Sequence, residues 1–240
     1  MIKTIADLHT HTMVSQHAYS TLDEMASAAR ELGFSAIGIT DHGPGMLDGA
    51  IAHHFFCMNG LPSEIGGLRL VKGAEVNIKD FHGRLDLENS LLSRLDFVIA
   101  SYHIEAIDPA SVKDHTEGWL AVIENPDVDC LGHCGNPVFS CDLPAVVKAC
   151  AQHGKILEIN SNSFQVRPGS NENCRMAARL CMEYEVPVIV SSDAHSRYCV
   201  GDHKAALQML NSIGFPEELV LNADTNRLFQ YLDGLKRAQK

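Results

Sequence analysis

The sequence predicts an α/β chain in which parallel strands alternate with helices, and three observations carry that reading. Short apolar runs alternate with amphipathic stretches along the whole chain and never settle into a series of hairpins. The amphipathic stretches carry helix start and stop signals. Histidines and carboxylates recur just after the apolar runs. Seven such runs suggest a barrel with one unit fewer than the familiar eight, and an open doubly wound sheet is also compatible with the alternation.

In chain order, strands are expected at 4–8, 36–40, 70–73, 97–100, 130–131 with a residue or two before, 156–159 and 188–190. The first helix opens at Thr21, an N-cap whose hydroxyl and the Glu24 carboxylate form a capping box, and Gly33 is its natural stop. Stretches 143–152, 173–185 and 204–213 read as further helices, with Gly154 and Gly214 as stops, and 228–235 as a terminal helix packed on the outside. No linker, charge block or repeat divides the chain, so residues 1–240 are read as a single domain.

With 45% hydrophobic residues the chain can build a sizeable core, and no apolar run approaches the roughly 18 residues of a membrane span. The start, MIKTIADLHT, lacks the apolar core of a signal peptide, so no membrane association and a cytoplasmic location are expected. A net charge of −11 disfavours nucleic acid, whose recognition rests on clustered Lys and Arg. None of the eight cysteines forms a CxxC pair, and several sit in helical patterns, which reads as buried free thiols in a reducing compartment.

The residues that carry chemistry stand at the ends of these runs. "DLHTHT" places His9 and His11 two positions apart, on one face of an extended strand and aimed at one point, with Asp7 on the same side. His17 comes shortly after. The second run delivers His42, the third Glu75, the fourth His103 and the fifth His133, while the sixth offers Asn160 and Asn162. The seventh ends in Asp193 and His195, again an i, i+2 pair. In a barrel these strand ends share one face, where sites are built. His53, His54, His82, His115, His153 and His203 fall outside this register and are read as surface or packing residues.

The motifs "DLHTHT", "ITDHG", the His103 and His133 pair and "SDAH" resemble those of the PHP (polymerase and histidinol phosphatase) family, most closely its bacterial YcdX-type probable phosphatases. "HAYST", "GNP", "LEIN" and "NADTNRL" extend the likeness over practically the whole chain. The resemblance implies a distorted (βα)7 barrel with the metal site at the C-terminal ends of the strands. It also implies three divalent ions per chain: one on His9, His11, Glu75 and Asp193, a second on Glu75, His103 and His133, and a third on His17, His42 and His195. Relatives often have proline where Cys134 stands.

A set of nitrogen and oxygen donors suits zinc first and admits manganese or iron. Asp41 and Asp7 are expected to orient imidazoles, Asp41 serving as readily as a turn residue. Clustered cations about 3.5–4 Å apart fit phosphoester hydrolysis by a water that loses its proton between them. No protein nucleophile is needed, and no GxSxG elbow or phosphate-cradling glycine loop is present. Arg167 and Asn162 are the expected substrate-binding residues, although a solvated loop arginine is an equal reading. The leading function is a phosphatase for a small phosphorylated metabolite. A phosphodiesterase or nuclease and a non-catalytic metal-binding module are the alternatives, and a homo-oligomer stays open.

Overall fold

The computed structural model describes residues 1–235. Along the chain run β1 (Ala6–Asp7), α1 (Leu22–Glu31), β2 (Ala36–Ile39), α2 (Ala52–Cys57), β3 (Glu64–Ile65), β4 (Leu68–Asn77), α3 (Asn89–Leu92), β5 (Phe97–Ser101) and α4 (Val112–Ile123). Beyond them lie β6 (Cys130–Leu131), α5 (Leu143–His153), β7 (Ile156–Asn160), α6 (Ser163–Val166), α7 (Ser170–Tyr184), β8 (Val188–Ser191), α8 (Lys204–Ser212) and α9 (Thr225–Gly234). The sheet order is β1-β2-β4-β5-β6-β7-β8, every neighbouring pair parallel, and β3 is an antiparallel addition to β4. Seven parallel strands thus form a nearly closed barrel, which removes the doubly wound alternative.

The helix signals act as expected. Thr21 accepts from Glu24 N while the Glu24 side chain returns to the Thr21 backbone, closing the capping box. Gly154 ends α5 in the left-handed region at φ 64°, open to glycine without a Cβ penalty. A second capping box, Ser111 with Asp114, opens α4, a helix absent from the expected set. β4 extends well past the expected 70–73, so Glu75 lies inside a strand rather than after one.

Side chains alternate between two layers. The outward set, including Ile37, Leu70, Val98, Leu131, Leu157 and Val188, packs beneath the helices. The inward set, Ala6, Leu8, Ala36, Val71, Phe97, Ile99, Cys130, Ile156 and Ile189, forms a second cluster with Leu221, Leu228 and Leu232. Here α9 departs from the expected outside packing. Its buried Leu228 and Leu232 cover the inward apolar residues at the N-terminal end of the barrel, where small Ala6 and Ala36 leave room.

The ring closes between β1 and β8 without a regular ladder. At the upper end Thr10 bridges Ala194, and His11 N donates to Ala194 O at 2.8 Å. Lower down, the buried Asn222 fills the gap. Its Nδ2 donates to Ala6 O at 2.8 Å and Val190 O at 2.7 Å, and its Oδ1 accepts from Val190 N at 3.0 Å. Its own carbonyl takes Ile5 N at 2.9 Å. Asn222→Leu would orphan three buried backbone groups, each costing roughly 1–3 kcal/mol. Urea unfolding is expected to show a loss of about 3 kcal/mol or more; a loss under about 1 kcal/mol would mean that the seam holds without it.

Candidate metal centre

The inward face of each strand turns from apolar to polar as it rises. Val71 is succeeded by Glu75 on β4, Phe97 and Ile99 by Ser101 on β5, Ile156 by Glu158 and Asn160 on β7, and Ile189 by Ser191 and then Asp193 beyond β8. Period-two alternation therefore lifts three carboxylates to one level.

Glu75, fully buried, is the hub. Its Oε2 lies 2.8 Å from His42 Nδ1, 3.2 Å from His9 Nε2 and 3.6 Å from His11 Nε2. Its Oε1 lies 3.0 Å from His133 Nε2 and 3.4 Å from His103 Nε2, and accepts from Ser101 Oγ at 2.6 Å. Asp193 Oδ1 stands 3.2 Å from His11 Nε2 and 3.6 Å from His9 Nε2. His17 Nε2 and His195 Nε2 are 2.8 Å apart. All nine predicted ligand positions thus meet at one mouth. Seven of them supply donor atoms to three compact triads: His9, His11 and Asp193; His42, Glu75 and His103; and His11, His42 and His195. His42 therefore stands between the sets assigned to the second and third ions. His133 and Asp193 adopt φ of 30° and 55°, an uncommon left-handed backbone for residues with side chains, and both lie at this mouth.

Four imidazoles have their outer nitrogen committed. His9 Nδ1 meets Glu158 Oε1 at 2.5 Å, His17 Nδ1 meets Asp48 Oδ2 at 2.7 Å, His103 Nδ1 meets Asn77 Oδ1 at 2.8 Å and His195 Nδ1 donates to Asp193 O at 2.9 Å. Such bonds fix the tautomer and turn the Nε2 lone pair inward. Glu158 is the carboxylate that sequence reasoning passed over. The signal was there, since Glu158 and Asn160 form an i, i+2 pair like His9 with His11. Asn77, two residues after Glu75, and Ser101, two before His103, carry the same i, i+2 signal, and Asp48 carries none.

Asp7 corrects an expectation. It does not face His9 and His11; it accepts from Ser192 N, Ser192 Oγ and Gly201 N, and lies 3.4 Å from His203 Nε2. The backbone changes its alternation after Leu8, so Asp7 secures the loop after β8 instead. Asp41 likewise binds a loop rather than an imidazole of the cluster, accepting from Thr12 N, Thr12 Oγ1 and Ser15 Oγ, each at 2.8 Å. That loop leads into His17. Among the other histidines, His115 and His203 are buried with hydrogen bonds, His53, His82 and His153 are exposed, and His54 lies 3.7 Å from Asp41. The thiols are all free, and burial pushes Cys150 and Cys174 up to about 12. Cys57 and Cys199 are exposed rather than buried.

Arg167 lies on the wall of a cavity of about 370 Å³ that opens over the cluster, as does Asn162. Its guanidinium donates to Ser163 Oγ at 3.0 Å and approaches Asp193 Oδ2 at 3.4 Å.

The electrostatics are strongly coupled. Burial works against the Glu75 and Asp193 carboxylates, yet neighbouring imidazoles hold both well below the usual range. Burial also works against a charged His9, but Glu158, Glu75 and Asp193 raise it well above the ordinary histidine value. Burial, with His42 and His195 beside it, drives His11 well below that value, and burial together with Arg167 brings His133 down to about 4. His9 Nε2, His11 Nε2, His42 Nδ1 and Glu75 Oε2 are buried without a hydrogen-bond partner and converge on one point. Orphaned buried donors and acceptors are costly. Divalent cations among them would satisfy these atoms, so these residues fit a metal centre.

Barrel and site together define a metal-binding α/β-barrel protein of the hydrolase type. Residues 7–162 match the PHP domain family and residues 171–210 the PHP-associated family. A "probable phosphatase" of Acetivibrio thermocellus is 41% identical over 231 residues, covering 96% of each chain. Another, of a Thermoanaerobacter species, is 42% identical over 238 residues, covering 98% of this chain and 97% of its own. The chain belongs to the PHP family. In fold it is similar to a histidinol phosphate phosphatase from Lactococcus lactis, solved with zinc, L-histidinol and phosphate, at a TM-score of 0.64 and 17% identity over 89% of this chain and 95% of that one.

Because three carboxylates hold His9 protonated in metal-stripped protein, a metal must displace that proton. Calorimetric zinc titration near neutral pH, repeated in buffers of different ionisation enthalpy, is expected to show net proton release, with affinity rising as pH rises. Uptake without proton release would remove His9 from the ligands.

Proposed function

We propose that this protein is a metal-dependent phosphomonoesterase acting on a small phosphorylated metabolite. The observation that carries the reading is the buried, shared Glu75 carboxylate beneath a cavity that also presents Arg167. Three divalent ions are proposed, zinc first: one on His9, His11, Glu75 and Asp193, one on Glu75, His103 and His133, and one on His17, His42 and His195. Bound ions supply Lewis acidity toward phosphoryl oxygens and lower the pKa of water.

The chain's own residues do the rest. Glu75 offers one oxygen to each side of the cluster and so holds two positive centres close. Glu158, Asp48 and Asn77 keep His9, His17 and His103 turned inward. Arg167, braced by Ser163 and drawn to Asp193 Oδ2 at 3.4 Å, keeps its remaining guanidinium protons for a phosphoryl group, and Asn162 stands beside it. Met46, Ile104, Val138 and Val166 give the cavity an apolar outer wall against which a leaving group packs. A cavity of about 370 Å³ suits a small ester. One sheet running through both matched segments supports a single domain over 1–240, and eight free thiols support a reducing, cytoplasmic setting. Among the described residues no helix is long and apolar enough to cross a membrane.

A panel of phosphorylated metabolites, run on protein of assayed metal content, is the direct test; turnover of diesters alone, or of nothing, would overturn the proposal. Glu75→Gln preserves size while removing the bridging charge, and activity is expected to fall at least about a hundredfold, roughly 3 kcal/mol of transition-state stabilisation. Near wild-type hydrolysis of para-nitrophenyl phosphate with metal retained would refute the bridge. Arg167→Ala is expected to raise KM about tenfold or more, by roughly 1.4 kcal/mol of lost binding, with metal content unchanged; an unchanged KM removes it from the substrate site.

A further inference from the structure

Outside the ring of donor atoms, one carboxylate holds two of the loops that orient them. A tight turn from Ile78 to Leu85, closed by Lys79 N to Arg84 O at 2.8 Å, brings Asp86 back beside Asn77. Asp86 Oδ1 accepts from Asn77 N at 2.9 Å, and Oδ2 accepts from Asn77 Nδ2 at 2.5 Å and Gly45 N at 2.7 Å. Asn77 Nδ2 sends its other proton to Gly43 O at 3.3 Å. With both amide protons committed, Asn77 presents Oδ1 to His103 Nδ1 at 2.8 Å. Turning the amide over would set its oxygen against the Asp86 carboxylate and the Gly43 carbonyl, two contacts between acceptors.

We infer that Asp86, acting through Asn77, is a positioning residue that fixes the tautomer of His103. His103 Nδ1 donates to Asn77 Oδ1, and Nε2 is thereby turned toward Glu75 Oε1 at 3.4 Å. The ring is thus held in the orientation in which Nε2 and Glu75 would share a cation. Asp86 also anchors the second loop. Through Gly45 it holds the segment carrying Asp48, which orients His17. The glycines leave room for it, since a Cβ on Gly43 would come within 2.4 Å of Asp86 Oδ2 and one on Gly45 within 2.8 Å.

The inference rests on the metal-centre reading, and its test uses no substrate, so failure of the phosphatase assignment leaves it standing. Imidazole nitrogens of metal-stripped, nitrogen-15-labelled protein are observed by two-bond proton–nitrogen correlation, with His103 assigned by His103→Gln. Wild-type His103 is expected to carry a proton on Nδ1, and Asp86→Asn to lose it in part of the population. Competition for zinc against a chromophoric chelator is expected to show the weakest-bound ion losing about 10–100-fold in affinity in Asp86→Asn. Asn77→Ala should lose as much, and adding Asp86→Asn to it should cost clearly less than it does in the wild type. An Nε2–H tautomer in the wild type, or an Asp86→Asn loss of equal size with and without Asn77, would overturn it. The wild-type spectrum decides the first point even if a variant does not fold.

Discussion

The structure depends on keeping the Glu75 carboxylate charged in a place without water. Burial alone would neutralise it, and surrounding imidazoles reverse that tendency. Holding them in place accounts for much of the architecture above the apolar floor: Ser101 beneath Oε1, Glu158 behind His9, and Asn77 behind His103. Register is strictly specified as a result. A one-residue slip of β4 or β7 would carry Glu75 or Glu158 out to the largely apolar layer beneath the helices.

The two layers of the barrel separate stability from chemistry along each strand. Lower inward positions make a packed floor sealed by α9, and upper ones make a polar mouth. The two left-handed backbones at His133 and Asp193 belong to the mouth. There the surrounding contacts hold conformations that packing alone would not select.

Much of this was legible in the sequence because the strands write their faces with a period of two. His9 with His11 and Asp193 with His195 are local patterns, and their recurrence after apolar runs located the mouth. Glu158 obeys the same rule, but it lies inside an apolar run whose end is marked by the asparagines. Asp7 misled because a change of alternation after Leu8 cannot be seen in residue types. Asp48 is 31 positions from His17, and Asn222 is 216 from Ala6. Those pairings are products of closure, which local patterns do not encode. The floor role of α9 was hidden for the same reason.

The Asn222 seam also bears on how the molecule comes into being. Ribosomal synthesis delivers His17 long before His195, 178 positions later, and the residue that joins the first strand to the last comes later still. Nascent chains therefore carry His9, His11 and His17 while the opposite wall is unmade. Joining ends so distant in sequence is slow, because loop-closure entropy is lost before the contacts repay it. Occupancy of the proposed metal centre would then report on maturation. A chain whose proposed centre is filled would, by that fact, have finished folding.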